Sequence, residues 1–338
     1  MSPRVAVLGA GSWGTVIANV IADAGGNVTL WARRTSIAQE IRRRGCNEAY
    51  LPGVALHERV TATSRIADAL SDTQLIVCAI PAQALRHCLG HQCPALPEVP
   101  VLSLAKGIEQ GTDLRMSEVI SEAGNVPPER VLVLSGPNLA REIAAKQPSA
   151  SAVAGIDDDL TAQVAKMLAA PYFRPYLSRD PVGVEIAGAT KNVIALAVGM
   201  AGGAGYGHNT TATLMTRGLA EITRLGIALG ADEQTFAGLA GLGDLVATCA
   251  SPLSRNNRVG TYLGQGLPLE EAVRQAGQTA EGVTTAPAVL ELARRHRVDM
   301  PLTAAVVDVV HHGAGIEHTT ARLLARPLRE EIPGGRVL

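Results

Sequence analysis

Residues 4–14 read Arg4-Val5-Ala6-Val7-Leu8-Gly9-Ala10-Gly11-Ser12-Trp13-Gly14. A short apolar run gives way to a G-x-G-x-x-G pattern, and Ser12–Ala24 continues with helical spacing. The glycines alone are a weak signal; a strand before them and a helix after them give the pattern its meaning. The first glycine permits a tight turn, the second lets the backbone approach a pyrophosphate, and the third lets helix and strand pack closely. The helix start then offers free N–H groups and a partial positive charge to an anion. Arg4 before an apolar run, with Ala22-Asp23-Ala24 further on, also has the look of a secretory signal. Gly9, Gly11, Trp13, Gly14 and Asn19 interrupt that apolar core, which favours the dinucleotide-binding loop.

Outward from this loop the first half alternates strands with helical stretches. Arg4–Leu8, Val28–Ala32, Leu75–Ile80, Val101–Leu104 and Val131–Leu134 read as buried strands, and Ser151–Gly155 and Phe173–Leu177 extend the series. Ser12–Ala24 and Ser36–Arg44 read as helices between them. Such alternation predicts a Rossmann-type α/β domain, a doubly wound parallel sheet with helices on both faces. After about Pro181 the texture becomes helical: Val182–Met200, Thr211–Leu229, Leu269–Ala276, Thr285–Arg295 and Ala304–His311. We therefore expect a dinucleotide-binding domain over residues 1–185, an all-α substrate domain over 186–330, and a tail at 331–338.

Composition narrows the function classes. With 30 Lys+Arg against 31 Asp+Glu the net charge is -1, without the basic excess of a nucleic-acid binder. Five cysteines, Cys46, Cys78, Cys88, Cys93 and Cys249, lack paired spacing and suggest free thiols in a reducing compartment, hence a cytoplasmic protein. No unbroken apolar run reaches the length of a membrane span. His311-His312 lacks the spacing of a metal pair and no H-E-x-x-H occurs, so no metal is expected; without G-x-x-x-x-G-K-[ST] ATP chemistry is unsupported, and no G-x-S-x-G serine elbow occurs.

The second strand ends in Arg33-Arg34, where a cofactor without a 2′-phosphate is usually read by an acid. Two forked cations there fit a phosphate, so NADP(H) is accepted alongside NAD(H), unless they are solvated charges at a strand end. Only four of the 30 cations are lysines, Lys106, Lys146, Lys166 and Lys191. Lysine, unlike arginine, can release its proton when desolvated. Lys146 and Lys166 read as exposed helical positions. Lys106 follows a strand, at the sheet end where ligands bind in such folds. Lys191 is a lone cation in the small-residue helix Gly188-Ala189-Thr190-Lys191-Asn192-Val193, suited to acid–base work. The plain alternative is an ion pair of Lys191 with Glu185.

A polar cluster lies farther on. Gly241-Leu242-Gly243-Asp244-Leu245 precedes Thr248, and Ser254-Arg255-Asn256 sits at a helix start. Asp244 reads as a cap or a site acid. The hydroxyl, guanidinium and amide donors of the second string form a phosphate grip, or a capped helix with surface arginines.

These strings together resemble the bacterial NAD(P)-dependent glycerol-3-phosphate dehydrogenase family, nearly end to end. GAGSWGT (9–15), SLAKGIE (103–109), SGPNLAREIA (135–144), KNVIALA (191–197), GLGDLVATC (241–249), SRNNRVG (254–260) and EGVTT (281–285) carry the resemblance. It implies reversible hydride transfer between NAD(P)H and dihydroxyacetone phosphate, giving sn-glycerol 3-phosphate for glycerophospholipid synthesis. It implies Lys191 as proton donor and acceptor, assisted by Lys106 and Asp244. It places Lys106, Gly136, Asn138, Lys191, Asn192, Asp244, Thr248, Ser254, Arg255 and Asn256 at the substrate. It places Gly9, Gly11, Ser12, Trp13, Gly14, Arg33, Arg34, Tyr50, Lys106, Ala140, Arg255, Thr279 and Glu281 at the cofactor. Asn138 stands where the family usually has a hydroxyl residue, and Thr279 where an aliphatic residue is expected.

Two other functions compete. One is a related dehydrogenase, such as a ketopantoate or 3-hydroxy-acid reductase; the other is a non-catalytic NADP(H) sensor, which would need neither Lys106 nor Lys191. A homodimer is the default assembly.

Overall fold

The computed structural model describes residues 2–93, 95–277, 280–328 and 331. Strands β1 (Arg4–Leu8), β2 (Asn27–Trp31), β3 (Cys46–Asn47), β4 (Leu51–Ala55), β5 (Val60–Thr63), β6 (Leu75–Cys78), β7 (Val101–Ser103), β8 (Val131–Ser135), β9 (Ser149–Ala154) and β10 (Phe173–Ser178) occupy the first half. Eight form one sheet in the order β10-β9-β8-β7-β6-β1-β2-β5. From β5 to β8 every pairing is parallel, and β9 runs antiparallel to β8. The central strands β6, β7 and β8 are buried throughout, as a sheet covered on both faces requires. β10 closes one edge, and Pro175 within it is tolerated there because an edge strand can spare a donor.

The sequence-derived strands and the Rossmann-type class are present as expected. The short β3–β4 hairpin and the edge strand β5 are additions. Pro52 and Gly53 inside β4 hide its pattern, and β5 is only four residues long. Chain order reverses about β1, which has β2 on one side and β6 on the other. That reversal opens a crevice at the carboxyl ends of the strands, where the glycine loop lies.

After β10 the described residues are helical or in turns. Helix Pro181–Gly203 opens with Asp180 as N-cap, its carboxylate accepting from the Gly183 N–H at 2.8 Å, and with Pro181 pre-set for the first turn. Its apolar composition would suffice to span a membrane, but 94% of that window is buried inside the protein. Helices His208–Ala228, Asp244–Ala250, Arg255–Gly264, Glu281–Arg295 and Pro301–His312 wrap it. Asp244–Ala250 and Ile316–Leu324 were not among the expected helices, while the helix start expected at Ser254-Arg255-Asn256 opens Arg255–Gly264.

The wrap is closest against Arg255–Gly264. A methyl group on Gly199 or Gly203 would lie 2.1 Å from the carbonyl oxygens of Asn257 and Thr261, and one on Gly260 or Gly264 would lie 2.2 and 2.3 Å from those of Leu196 and Met200. Each helix therefore presents glycines four residues apart, and the two backbones meet. Farther up the first helix, Asn192 meets Asn256 at the start of the second.

Glu185 locks the same helix to the sheet domain. It accepts from Arg115 Nη1 at 2.8 Å, Ser117 N at 2.7 Å and Ser117 Oγ at 2.6 Å. Its partner is thus Arg115 and not Lys191, which corrects that alternative. Lys146 is exposed as expected, but it lies beyond its helix in the left-handed region at φ 58°, beside Asp23.

Gly260→Ala is expected to destabilise the protein by about 2 kcal/mol, because overpacking outweighs the gain in helix propensity. Gly202→Ala, whose new methyl group would meet nothing within 4 Å, should be neutral or stabilising by up to about 1 kcal/mol. Denaturant midpoints of the two variants measure the difference, and equal midpoints would remove the close-packing explanation.

Candidate active site

The glycine loop separates into two packed positions and one open one. Gly9 has φ 116°, and a side chain there would meet the Ala79 carbonyl oxygen at 2.4 Å. A side chain on Gly14 would lie 1.9 Å from the Gly9 carbonyl oxygen. Gly11 has nothing within 4 Å of the place its Cβ would take. The loop is therefore shut against the sheet on one side and clear on the other, as a pyrophosphate at a helix start requires.

Around that opening, Ser12 Oγ donates to the Tyr50 carbonyl at 2.6 Å, and the Arg34 guanidinium lies 5.2 Å from the centre of the Tyr50 ring. Arg33 and Arg34 are exposed beyond the end of β2. Trp13 packs toward Phe173, and its buried indole N–H has no partner. Ala140 opens the helix Ala140–Ala144. Ser12, Tyr50, Arg34 and the glycines thus form one neighbourhood. Thr279 lies outside the described residues.

The second neighbourhood joins strand ends to the helical half. Lys106 projects past β7 and donates to the Gly136 carbonyl at 3.1 Å and to Asp244 Oδ2 at 2.6 Å. Lys191 donates to Asp244 Oδ1 and to Thr248 Oγ1, both at 2.5 Å. One carboxylate, 1% exposed, bridges the two lysines. Asp244 is the first residue of its helix, but its oxygens serve the lysines and do not cap the helix. Thr248 stands one turn later and also donates to Asp244, at 3.3 Å. Gly188 makes the meeting possible: a methyl group there would lie 2.6 Å from Ser135 Oγ, at the end of β8.

Burial pushes the Lys191 ammonium down to about 8; Asp244 raises it, and the Lys106 charge lowers it further. Burial likewise pushes the Glu281 carboxyl up, against the attraction of Arg255, Lys106 and Lys191. Glu281, the first residue of helix Glu281–Arg295, thereby couples that helix start to both lysines and to Arg255. A group poised near neutrality among fixed charges is suited to exchanging a proton with an oxygen.

The Ser254-Arg255-Asn256 string divides its work. Ser254 Oγ caps helix Arg255–Gly264, accepting from Asn257 N at 3.3 Å. Asn256 is buried; it donates to Asn192 Oδ1 and accepts from Gly282 N, both at 2.9 Å, and so ties three helices together. Arg255 is exposed at the first helical position. Asn138 receives a hydrogen bond from Ser151 Oγ, and its buried Nδ2 has no partner. Among the described residues no group of three or more His, Cys, Asp or Glu side chains could hold a metal ion.

Sequence reasoning missed Asn47. It is fully buried and donates to the Ala10 carbonyl at 3.0 Å and to Thr15 Oγ1 at 2.8 Å, clasping the glycine loop from the β3–β4 hairpin. Its spacing from the loop, 37 residues from Ala10, follows no motif. Ser151, which pins Asn138 across β9, left no pattern either.

Comparison with known proteins agrees with this geometry. Models for the N-terminus and C-terminus of NAD-dependent glycerol-3-phosphate dehydrogenase match residues 4–161 and 180–321. The glycerol-3-phosphate dehydrogenase [NAD(P)+] of Corynebacterium diphtheriae is 53% identical over 97% of this chain and 100% of its own. That of Thermobifida fusca is 52% identical over 97% and 98%. The crystal structure of glycerol-3-phosphate dehydrogenase from Coxiella burnetii superposes with a TM-score of 0.91 at 36% identity, covering 96% of this chain and 99% of that one. A glycine loop on a doubly wound sheet, a lysine pair on one buried acid and matches across both halves of the chain place it in one group: it belongs to the NAD-dependent glycerol-3-phosphate dehydrogenase family.

Proposed function

We propose that this protein is a glycerol-3-phosphate dehydrogenase [NAD(P)+], interconverting dihydroxyacetone phosphate and sn-glycerol 3-phosphate. The observation that carries the proposal is Lys191: a buried ammonium held by Asp244 and Thr248 between the sheet's carboxyl end and a helix start that bears Arg255. Residues 1–185 hold the cofactor and 186–330 complete the substrate site. The open side of Gly11, the unpartnered Trp13 N–H and the Arg34–Tyr50 pair suit a nicotinamide dinucleotide. Bound NAD(P)H supplies the hydride that reduces the ketone carbon.

The chain supplies the rest. Lys191 donates a proton to the oxygen as negative charge builds there, and takes it back in the oxidation. Asp244 orients Lys191 through Oδ1 and Lys106 through Oδ2. Arg255, the Ser254 hydroxyl and the N–H groups of their helix start bind the phosphate, and that remote binding positions the carbonyl. Asn138, through Nδ2, is a further donor to the substrate. We extend the proposal to a homodimer in the cytoplasm whose product feeds glycerophospholipid synthesis.

The test is cofactor oxidation on adding dihydroxyacetone phosphate, beside unphosphorylated dihydroxyacetone, ketopantoate and 3-oxo acids. Fast turnover confined to the phosphorylated ketone is expected; a preference for ketopantoate, or none at all, would overturn the assignment. Arg255→Ala should raise KM for dihydroxyacetone phosphate by about 100-fold, the scale of a lost charge-assisted hydrogen bond, and barely alter turnover of dihydroxyacetone. An equal loss with both ketones would remove Arg255 from the phosphate.

Replacing Arg33 and Arg34 with Ala should weaken NADPH about tenfold or more while sparing NADH. Titration by cofactor fluorescence measures this, and matched losses would reject the 2′-phosphate role.

Lys191→Arg and Lys191→Ala should each lose about 10² to 10⁴ in kcat with the fold intact. The pH dependence has a definite sign. Ketone reduction needs Lys191 protonated, so its kcat/KM should fall as pH rises through about 8. Alcohol oxidation needs it neutral and should rise over the same interval. Parallel profiles in the two directions, or a near-normal Lys191→Arg enzyme, would exclude proton transfer by Lys191.

A further inference from the structure

The β3–β4 hairpin is sewn to the cofactor loop at several points. Besides the two bonds from Asn47, the Tyr50 carbonyl accepts from Ser12 Oγ at 2.6 Å. Farther along, Asn19 Nδ2 donates to the Ala55 carbonyl at 3.1 Å, and His57 N donates to Asn19 Oδ1 at 3.0 Å. Leu51, 2% exposed, anchors the hairpin in the core that also holds Val16 and Ile17. A segment outside the main sheet therefore grips the first helix along much of its length.

Asn47 acts at the most sensitive point of this seam. The Ala10 carbonyl can only accept, so the amide contacting it must be the NH₂ group, and the orientation of Asn47 is settled. In a trans peptide the C=O and the following N–H point in opposite directions. Drawing the Ala10 carbonyl toward buried Asn47 therefore turns the Gly11 N–H away from the interior. Gly11 is the loop residue with open space beside it. The second bond, to Thr15 Oγ1, fixes the first helical turn relative to that peptide.

We propose that Asn47 is a positioning residue for the cofactor: it sets the Ala10–Gly11 peptide so that the Gly11 N–H is aimed at the cofactor's pyrophosphate. This rests on the assignment of the glycine loop as the NAD(P)H site. Asn47 acts through the Ala10–Gly11 peptide, and the pyrophosphate that peptide would meet is common to both cofactors, so its effect falls equally on NADH and NADPH. It also lies apart from Lys191, so it acts on cofactor affinity and not on the chemical step.

Fluorescence titration with NADPH and NADH, joined to steady-state kinetics, tests the proposal on wild type, Asn47→Ala, the near-isosteric Asn47→Asp and Thr15→Val. Wild-type binding of both cofactors checks the site assignment by itself. Asn47→Asp, which sets an acceptor against the Ala10 carbonyl, and Asn47→Ala should weaken both cofactors about tenfold or more, with their ratio unchanged. The kcat at saturating cofactor should stay within about threefold, since the proton-transfer group is untouched. Thr15→Val removes only the second bond and keeps the one to Ala10, so it should weaken both cofactors less than Asn47→Ala does, again with their ratio unchanged. Hydrogen exchange on wild type supplies a measurement that needs no variant: the Gly11 amide should be slowed when NADPH binds. Folded Asn47 variants with wild-type affinity, a loss confined to NADPH, a fall in kcat without a change in affinity, or an unprotected Gly11 amide in the NADPH complex would each overturn it.

Discussion

An ammonium group taken out of water needs compensation of several kcal/mol, and Lys191 is only 6% exposed. Its compensation comes from a different helix, through Asp244 and Thr248. Asp244 in turn reaches Lys106 at the end of a strand. Three segments far apart in sequence, ending β7, opening helix Asp244–Ala250 and crossing the middle of Pro181–Gly203, must therefore meet at one point. Many other features of the helical half follow from that demand. Gly188 lets the central helix approach the strand ends, and the Gly199–Gly203 and Gly260–Gly264 pairs let the next helix approach its backbone. Glu185 fastens the central helix to Arg115 so that the lysine cannot drift from the sheet. Removing one partner of such a network costs far more than the pair contributes, because a charge is then left buried alone.

The cofactor side obeys a milder constraint, the close approach of backbone to an anion. There the compensation is hydrogen bonding. Asn47 and Tyr50 hold the loop from a hairpin, and Gly9 and Gly14 hold it from the sheet. The two constraints share almost no residues. Lys106 is where they come nearest, at the end of a sheet strand yet bonded to the helical domain's acid.

What could be seen in the sequence follows from how locally each feature is encoded. The strands of the sheet's centre are buried on both faces, so each is an unbroken apolar run and visible without neighbours. The glycine loop is visible because backbone geometry restricts it to glycine within a few residues. Lys191 and Lys106 stood out because arginine fills nearly every other cationic position and the two remaining lysines, Lys146 and Lys166, sit in exposed settings. β5 and the β3–β4 hairpin were not visible: a four-residue edge strand and a strand interrupted by Pro52-Gly53 carry no period. Asn47 and Ser151 were invisible for a different cause. A single buried polar residue is defined by its distant partner, and nothing near it in sequence names that partner. The same holds for Glu185, whose partner Arg115 lies 70 residues away. Ser254 and Asn256 were found by type, but their main bonds cap a helix and link helices, a division that only geometry displays.

Two lysines share one acid, and the difference between their surroundings separates their duties. An ammonium has three donors. Lys106 spends one on Asp244 and one on a backbone carbonyl, at 3.1 Å, in a part-buried place. Lys191 spends one on Asp244 and one on a hydroxyl, at shorter range and deeper burial. A threonine hydroxyl can accept from an ammonium or donate to a neutral amine, so Thr248 serves Lys191 in both protonation states. Burial and the neighbouring Lys106 charge both disfavour the charged Lys191. The arrangement therefore lets Lys191 change state while Thr248 stays its partner. A reversible proton transfer needs that tolerance, and here it comes from the hydroxyl partner of Lys191 as much as from the lysine's burial.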